Sequence, residues 1–339
     1  MQLPESASKT MASKKISKAI LLVGGKGTRL QPLTNTVPKP MIRIAGKPVT
    51  EHQIIKARDA GITEIVLATS YLAEVFQPYF GDGSAYGVKL TYAVEESPLG
   101  TGGAIAYAAD HFELRGDESV FIFNGDVLSG HDLLAQSNLH HSSCADVTLH
   151  LTKVADARAY GCVPIDHDGR VIEFLEKMEN PKANTINAGC YIFSTRAISS
   201  IPRGTVVSVE RETFPTLLSS GHLFYGFEDS RYWIDMGTPQ AMIKASSDLI
   251  LNPSLSGATP EVVDDALLES GVTIDPSSKI TGGSFIASGA EIGPRTSIIG
   301  SIISENVVIE EDSFVKESFV APGTRVKSGS KIENSIFGF

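Results

Sequence analysis

The sequence predicts an α/β domain on a mixed, mostly parallel sheet, followed by a left-handed parallel β-helix. Three observations carry this. Short β-branched apolar runs alternate with helix-length stretches as far as residue 123, the pattern of a sheet covered on both faces by helices. Isoleucine then recurs every six residues at Ile274, Ile280, Ile286, Ile292 and Ile298, the hexapeptide period of a β-helix whose apolar residues point inward. Between the two halves lies Asn252-Pro253-Ser254-Leu255-Ser256-Gly257, a linker composition.

Taken in order, residues 1–15 are polar and lack an apolar centre. They read as a disordered leader, not a secretory signal, with Met11 an alternative start to Met1. Residues 19–23 are a strand that runs into glycines. Pro48 opens a helix to Ala60, and Gly61 stops it. A strand over 64–70, a helix over 71–80, a strand over 88–94, a helix over 102–112 and a strand over 119–123 follow. From Asp146 the texture becomes strand-rich, with runs at 147–154, 160–163, 171–177 and 186–193 that extend the sheet. Residues 239–251 are amphipathic and lead into the linker at 252–261, which divides a domain at 16–251 from one at 262–339. The sixfold repeat slips once and resumes at Ile303, Ile309 and Val315, then slips again to Val320, Val326 and Ile332.

The chain has 339 residues, of which 42% are hydrophobic and 20% charged, so it can bury a sizeable core. No apolar run approaches the roughly 20 residues of a membrane span, and a cytoplasmic protein is expected. Cys144, Cys162 and Cys190 are widely spaced and form no Cys-x-x-Cys pair, which disfavours disulfides and zinc. A net charge of −10 argues against nucleic acid as partner. The positive charge is nonetheless gathered: every charged residue from Lys14 to Lys47 is basic, namely Lys14, Lys15, Lys18, Lys26, Arg29, Lys39, Arg43 and Lys47. A small polyanionic substrate is the partner such a distribution suits.

That basic stretch surrounds the motif on which function turns, residues 24–41, GGKGTRLQPLTNTVPKPM. Gly24, Gly25 and Gly27 can bring bare N–H groups close to phosphate oxygens. Arg29 adds a planar fork, and Lys39 a compact cation beyond the rigid Pro32, Pro38 and Pro40. A P-loop would need Ser or Thr after Lys26, where Gly27 stands, and a dinucleotide fingerprint would need glycine at Leu30. A second glycine-bearing turn, residues 95–103 (EESPLGTGG), opens a helix for which Thr101 could be the cap. Phe123-Asn124-Gly125-Asp126 leaves one carboxylate at the lip of the sheet, and a turn Asp bonding its own backbone is the plain alternative.

The string Gly-Gly-x-Gly-Thr-Arg-Leu-x-Pro-Leu-Thr with Pro-Lys-Pro-Met resembles the signature of the sugar-1-phosphate nucleotidylyltransferases. The Pro-Leu-Gly-Thr-Gly form at 98–102 looks most like the guanylyltransferases among them that make GDP-mannose or GDP-manno-heptose, and the chain as a whole is most similar to the mannose-1-phosphate guanylyltransferases. The resemblance implies a Rossmann-like catalytic domain and attack of a sugar 1-phosphate on a nucleoside triphosphate, GTP by the second string. It implies that Gly24, Gly25, Gly27, Thr28, Gly100, Thr101 and Asn124 bind nucleotide, and that Asp126 and Asp235, the latter in Trp233-Ile234-Asp235-Met236-Gly237, hold Mg2+. It further implies that Gly161, Glu176, Lys177, Asn187, Gly189 and Glu210 bind the sugar phosphate, and that Arg29, Lys39 and Lys177 are catalytic. Phe174-Leu175-Glu176-Lys177 matches the family's F-x-E-K motif, although Met178 follows where many members carry Pro. Without the resemblance, Glu176 and Lys177 would read as a solvated pair, and Glu210 as a helix-start acid.

Two alternatives stay open at this point. One keeps the reaction and changes the nucleotide or the sugar, to glucose, manno-heptose or a cyclitol. The other is a catalytically silent homologue that binds nucleotide sugar, against which the presence of Arg29, Asp126, Lys177 and Asp235 speaks. β-Helices also occur in acyltransferases that use a histidine base, but no histidine follows His222. The β-helix is therefore expected to be an assembly or regulatory platform, with the apolar tail at 335–339 favouring a homo-oligomer.

Overall fold

A computed structural model describes residues 15–262 and 264–339. The leader expected over residues 1–15 lies, apart from Lys15, outside the described residues, as do Met1, Met11 and Lys14. The chain opens with β1 (Lys18–Leu22), a hairpin of β2 (Arg43–Ile44) and β3 (Lys47–Pro48), α1 (Val49–Asp59) and β4 (Glu64–Thr69). Next come α2 (Phe76–Phe80), β5 (Lys89–Val94), α3 (Gly100–Ala109), β6 (Ser119–Asn124), β7 (Val127–Ser129) and α4 (Leu133–Ser142). Then follow β8 (Val147–Lys153), β9 (Gly161–Cys162), β10 (Leu175–Glu176), β11 (Thr185–Ser194), α5 (Thr195–Ser199), α6 (Phe214–Ser219), β12 (Phe224–Glu228), β13 (Trp233–Asp235) and α7 (Pro239–Leu251).

β1 is the axis of the sheet. It is buried and lies parallel between β4 and β6, with Ile20 opposite both Val66 and Ile122. The main path runs β10-β9-β11-β6-β1-β4-β5, with β8 and β12 attached beyond β11. β11 is antiparallel to β6 and β8, so the sheet is mixed as expected. The C-terminal ends of β1, β4 and β6 therefore share one edge, where α/β sheets bind ligands.

Departures from the expected elements have local causes. The helix expected at 71–80 shrinks to a 3-10 turn at Ala73–Val75 and the short α2, because Pro78 cannot donate within a longer helix. The strand expected at 171–177 pairs only at Leu175–Glu176, with an isolated bridge from Val171 to Ile165. Helix α3 begins at Gly100, two residues early, and Pro48 precedes α1 as its cap position instead of opening it. Helix α4 was not expected, because it turns Gln136, Ser137 and His140 to the interior along with Leu133, which hides its apolar period.

The C-terminal strands form three stacked parallel sheets, the arrangement of a left-handed β-helix. The first coil advances 18 residues, from Ala266 to Ser284, and later ones 17, as from Phe285 to Ile302. Each slip in the sixfold pattern is thus one residue omitted from a coil. Ile286, Ile292, Ile298, Ile303, Ile309, Val315, Val320, Val326 and Ile332 form the inner ladder, while Ile274 and Ile280 of the first coil are only partly buried.

The β-helix does not hang free. Leu267, Phe285, Ile302 and Phe319 share one apolar cluster with Ile44, Val49, Met242 and Leu249 of the α/β unit, each worth about 1.5–3 kcal/mol when fully buried. Arg43 sits over the Phe285 ring and forms ion pairs with Glu269 and Glu305.

Candidate active site

The loop after β1 is held open by its own neighbours. Ser70 Oγ donates to Gly24 O at 2.6 Å and Thr34 Oγ1 to Gly27 O at 2.9 Å. Gly27 is left-handed at φ 59°, and a Cβ there would stand 3.1 Å from Lys39 Cβ, so glycine is needed both for conformation and for the close approach of the Lys39 turn. Thr28 and Arg29 are exposed beyond it. A cleft of about 500 Å³ opens here, lined by the loop, Lys39, Glu95, Gly100, Thr101, Asn124, Asp126, Glu210 and Gly237.

Asp126 lines this cleft, and Asp235 lies just behind the lining, within reach of the charges of Asp126, Lys39 and Arg29. Asp126 follows β6, and Asp235 ends β13, which pairs antiparallel with β7 so that Asp235 lies opposite Val127. Met236 N donates to Asp126 O at 3.0 Å, tying the two segments. Burial, and next the nearby Asp126, raise the pKa of Asp235 from its ordinary value. Asp235 Oδ1 is buried without a hydrogen-bond partner, which costs free energy unless a ligand meets it. Lys39, buried at 8% exposure, donates from Nζ to Asp126 Oδ2 at 2.7 Å. Arg29 packs beside Gly237, whose missing Cβ would come 3.0 Å from its guanidinium.

Opposite the loop, Thr101 is not a cap. It lies inside α3, donating to Glu210 Oε2 at 3.1 Å and accepting from Val209 N at 2.8 Å. Burial raises the pKa of Glu210, with Glu176 adding to it, so these two carboxylates face the same space. Asn187 and Asn124 both donate to the hydroxyl of buried Tyr191, at 2.9 and 3.3 Å. Gly189 abuts Asn124, and Gly161 abuts Glu176. The residues expected for nucleotide thus meet at one cleft with Asp126, while Asp235 stands behind the lining and Glu176, Asn187, Gly189 and Gly161 adjoin it. Lys177 is the exception: it is exposed, lies outside the cleft lining, and pairs with Glu176 Oε1 at 3.5 Å.

The model of the family described as nucleotidyl transferase matches residues 18–251. The chain belongs to that family. Among relatives of this nucleotidyl transferase, a mannose-1-phosphate guanylyltransferase of Mycobacterium tuberculosis is 48% identical over 293 residues, covering 86% of this chain and 81% of the relative. A probable mannose-1-phosphate guanylyltransferase 2 of rice (Oryza sativa) is 33% identical over 324 residues, 95% of this chain and 86% of that protein. The crystal structure of HddC from Yersinia pseudotuberculosis complexed with GMP-PN is 30% identical at a TM-score of 0.58, covering 69% of this chain and all (100%) of that one.

Nucleotidyl transferases of this kind act on a nucleotide and a sugar phosphate and generally use a divalent metal. The donor set here fits one. Two carboxylates with an unsatisfied buried oxygen, and no thiol or imidazole in the cleft lining, are hard-cation ligands. No helix among the described residues is long and apolar enough to cross a membrane.

Sequence reasoning missed Glu95, Gln53 and Tyr191. Glu95 lines the cleft with Oε1 buried and unpartnered, while Oε2 accepts from Leu99 N at 3.2 Å. Its signal was present, since it opens the second glycine-bearing string. Gln53 and Tyr191 lie within a helix and a strand that read only as core, and nothing local distinguishes them.

Proposed function

We propose that this nucleotidyl transferase is a mannose-1-phosphate guanylyltransferase, converting GTP and α-mannose 1-phosphate to GDP-mannose and pyrophosphate. The observation that carries the reading is Asp126 in the lining of the glycine-loop cleft with Asp235 close beside it, Oδ1 buried and unpaired. An oxygen of the sugar phosphate attacks the α-phosphorus in line, the bond to the β-phosphate oxygen breaks, and pyrophosphate leaves. No enzyme nucleophile is required, so the chain's work is alignment and neutralisation of charge. Gly24, Gly25, Gly27 and Thr28 would cradle the phosphates, and Arg29 would hold the departing pyrophosphate. Mg2+ held by Asp126 and Asp235 would supply charge neutralisation across the phosphates. Lys39, whose Nζ donates to Asp126 Oδ2, would keep that carboxylate aimed.

Glu95 supports guanine. A carboxylate with a free oxygen suits the adjacent N1–H and amino donors of that base, which adenine, cytosine and uracil do not present together. Gly100, Thr101 and Asn124 would border the base and ribose. Gly161, Glu176, Asn187, Gly189 and Glu210 would border the sugar, and Lys177 would turn to its phosphate. Residues 16–251 would be the catalytic domain, and residues 262–339 a platform for a homo-oligomer, in which exposed Phe337 and Phe339 at the last coil would be covered. A cytoplasmic site of action fits such charged substrates.

Pyrophosphate release from GTP, dTTP, UTP, ATP and CTP, each against mannose, glucose and heptose 1-phosphates, tests the assignment. Metal-dependent release confined to GTP with mannose 1-phosphate is the expected result. Release with another pair reassigns the substrates, and silence throughout with GDP-mannose still binding makes the protein a sensor.

A further inference from the structure

Helix α1 touches the turn that carries Lys39 and the turn that carries Asp126 without lending a side chain to the carboxylate pair. Thr50 and Gln53 are three residues apart and so share a face. Thr50 Oγ1 donates to Pro40 O at 3.0 Å, fixing the turn that carries Lys39. Gln53 Nε2 donates to Asn124 O and to Val127 O, both at 2.8 Å, closing the turn that carries Asp126. Lys56 donates to Ser129 O farther along β7. We propose that Gln53 is the positioning residue for the metal ligand Asp126, an amide clamp that holds the 124–127 turn at the distance the divalent cation requires.

The chemistry of the contact supports this. Gln53 is buried at 5% exposure, and its Oε1 has no partner. The amide is oriented by two carbonyls that both demand N–H, since the flipped orientation would set oxygen against oxygen. Removing the amide takes the side-chain donor from two part-buried carbonyls. A cavity of about 30 Å³ lined by Gln53, Asn124, Val127 and Cys190 lies behind the turn, so there is space for it to shift. Partners that orient a metal ligand without touching the metal typically change affinity about 10–100-fold.

This inference rests on the reading of Asp126 and Asp235 as metal ligands, and the test separates the two. Trp233 is the chain's one tryptophan, two residues before Asp235 on a strand paired with β7, and its indole donates to Ala188 O at 2.9 Å. Its emission under Mn2+ titration reports the site without turnover. Gln53→Met is expected to raise half-saturating Mn2+ about 10–100-fold. Lys56→Met, which removes another buried donor from the same helix, is expected to lower the melting temperature yet keep half-saturation within about threefold. A folded Gln53→Met with wild-type half-saturation overturns the proposal alone, whereas a wild-type protein indifferent to Mn2+ overturns the metal reading and the proposal with it. Should Gln53→Met fail to fold, Gln53→Glu decides. Its carboxyl donates only when protonated, so its deficit against wild type at the same pH should narrow between about pH 8 and 6. A deficit absent at both pH values overturns the clamp.

Discussion

Replacing Glu95 by glutamine tests how the base is chosen. The side chain is half-buried at the cleft wall, with Oε2 already accepting from Leu99 N at 3.2 Å and Oε1 buried and unpartnered. Glutamine keeps the shape and removes the charge, and it can satisfy at most one of two neighbouring donors. A hydrogen bond to a charged partner contributes about 1.5–3 kcal/mol, so kcat/KM for GTP should fall about 10–150-fold. ITP lacks the amino group, so it already forgoes part of this interaction and should lose less, narrowing the GTP-to-ITP ratio. The assay is pyrophosphate release at saturating mannose 1-phosphate with each nucleotide varied. A variant within about threefold of wild type on GTP, with the ratio unchanged, would refute the assignment of Glu95 to the base.

Because burial and Asp126 raise the pKa of Asp235, protons should compete with metal at a higher pH than for an ordinary aspartate. Half-saturating Mg2+ should climb as pH falls toward that raised value, and Asp235→Asn should abolish the climb along with most metal binding, both read by Trp233 emission. Burial holds His52 neutral, with a pKa near 4, and does the same to His140 and His150, near 3. A depressed folded pKa gives stability that is present above the unfolded value near 6.5 and lost as pH falls toward the folded one, about 2 kcal/mol per histidine by pH 5. Thermal melts should therefore collapse between about pH 6.5 and 4; a flat midpoint across that range would contradict it. At Gly100, φ is +71° and a Cβ would meet Val207 O at 2.6 Å, so Gly100→Ala should cost about 2 kcal/mol or more and weaken nucleotide binding measured by calorimetry. Ile309→Ala opens the inner ladder at 1% exposure and should cost about 2–5 kcal/mol in urea unfolding.

The legible parts of this protein were those with a period or a contiguous string. The β-helix showed itself because one residue in six must point inward, and even its slips proved to be coils of 17 instead of 18 residues. The glycine loop, Asp126 and Asp235 stood inside short runs whose chemistry is local. Gln53 and Tyr191 act through partners about 70 residues away in sequence, Asn124 and Val127 for Gln53 and Asn124 for Tyr191, and separations of that kind leave no trace in a window of ten. Helix α4 was hidden for a different reason: its inward face carries Gln136 and His140, whose polar atoms are satisfied by Thr148 and Ser119 only once β8 and β6 are in place.

The shared apolar cluster between Ile44, Met242 and Leu249 on one side and Leu267, Phe285 and Ile302 on the other means that the seam in the chain is not a seam in the packing. Cutting at the linker would leave two fragments, each with a raw hydrophobic face and, on one of them, Arg43 stripped of both carboxylates. For anyone wishing to shorten, graft or shuffle this protein, the two units are one purchase. Tolerance to recombination should therefore be sought at the exposed coil corners of the β-helix, not at the linker.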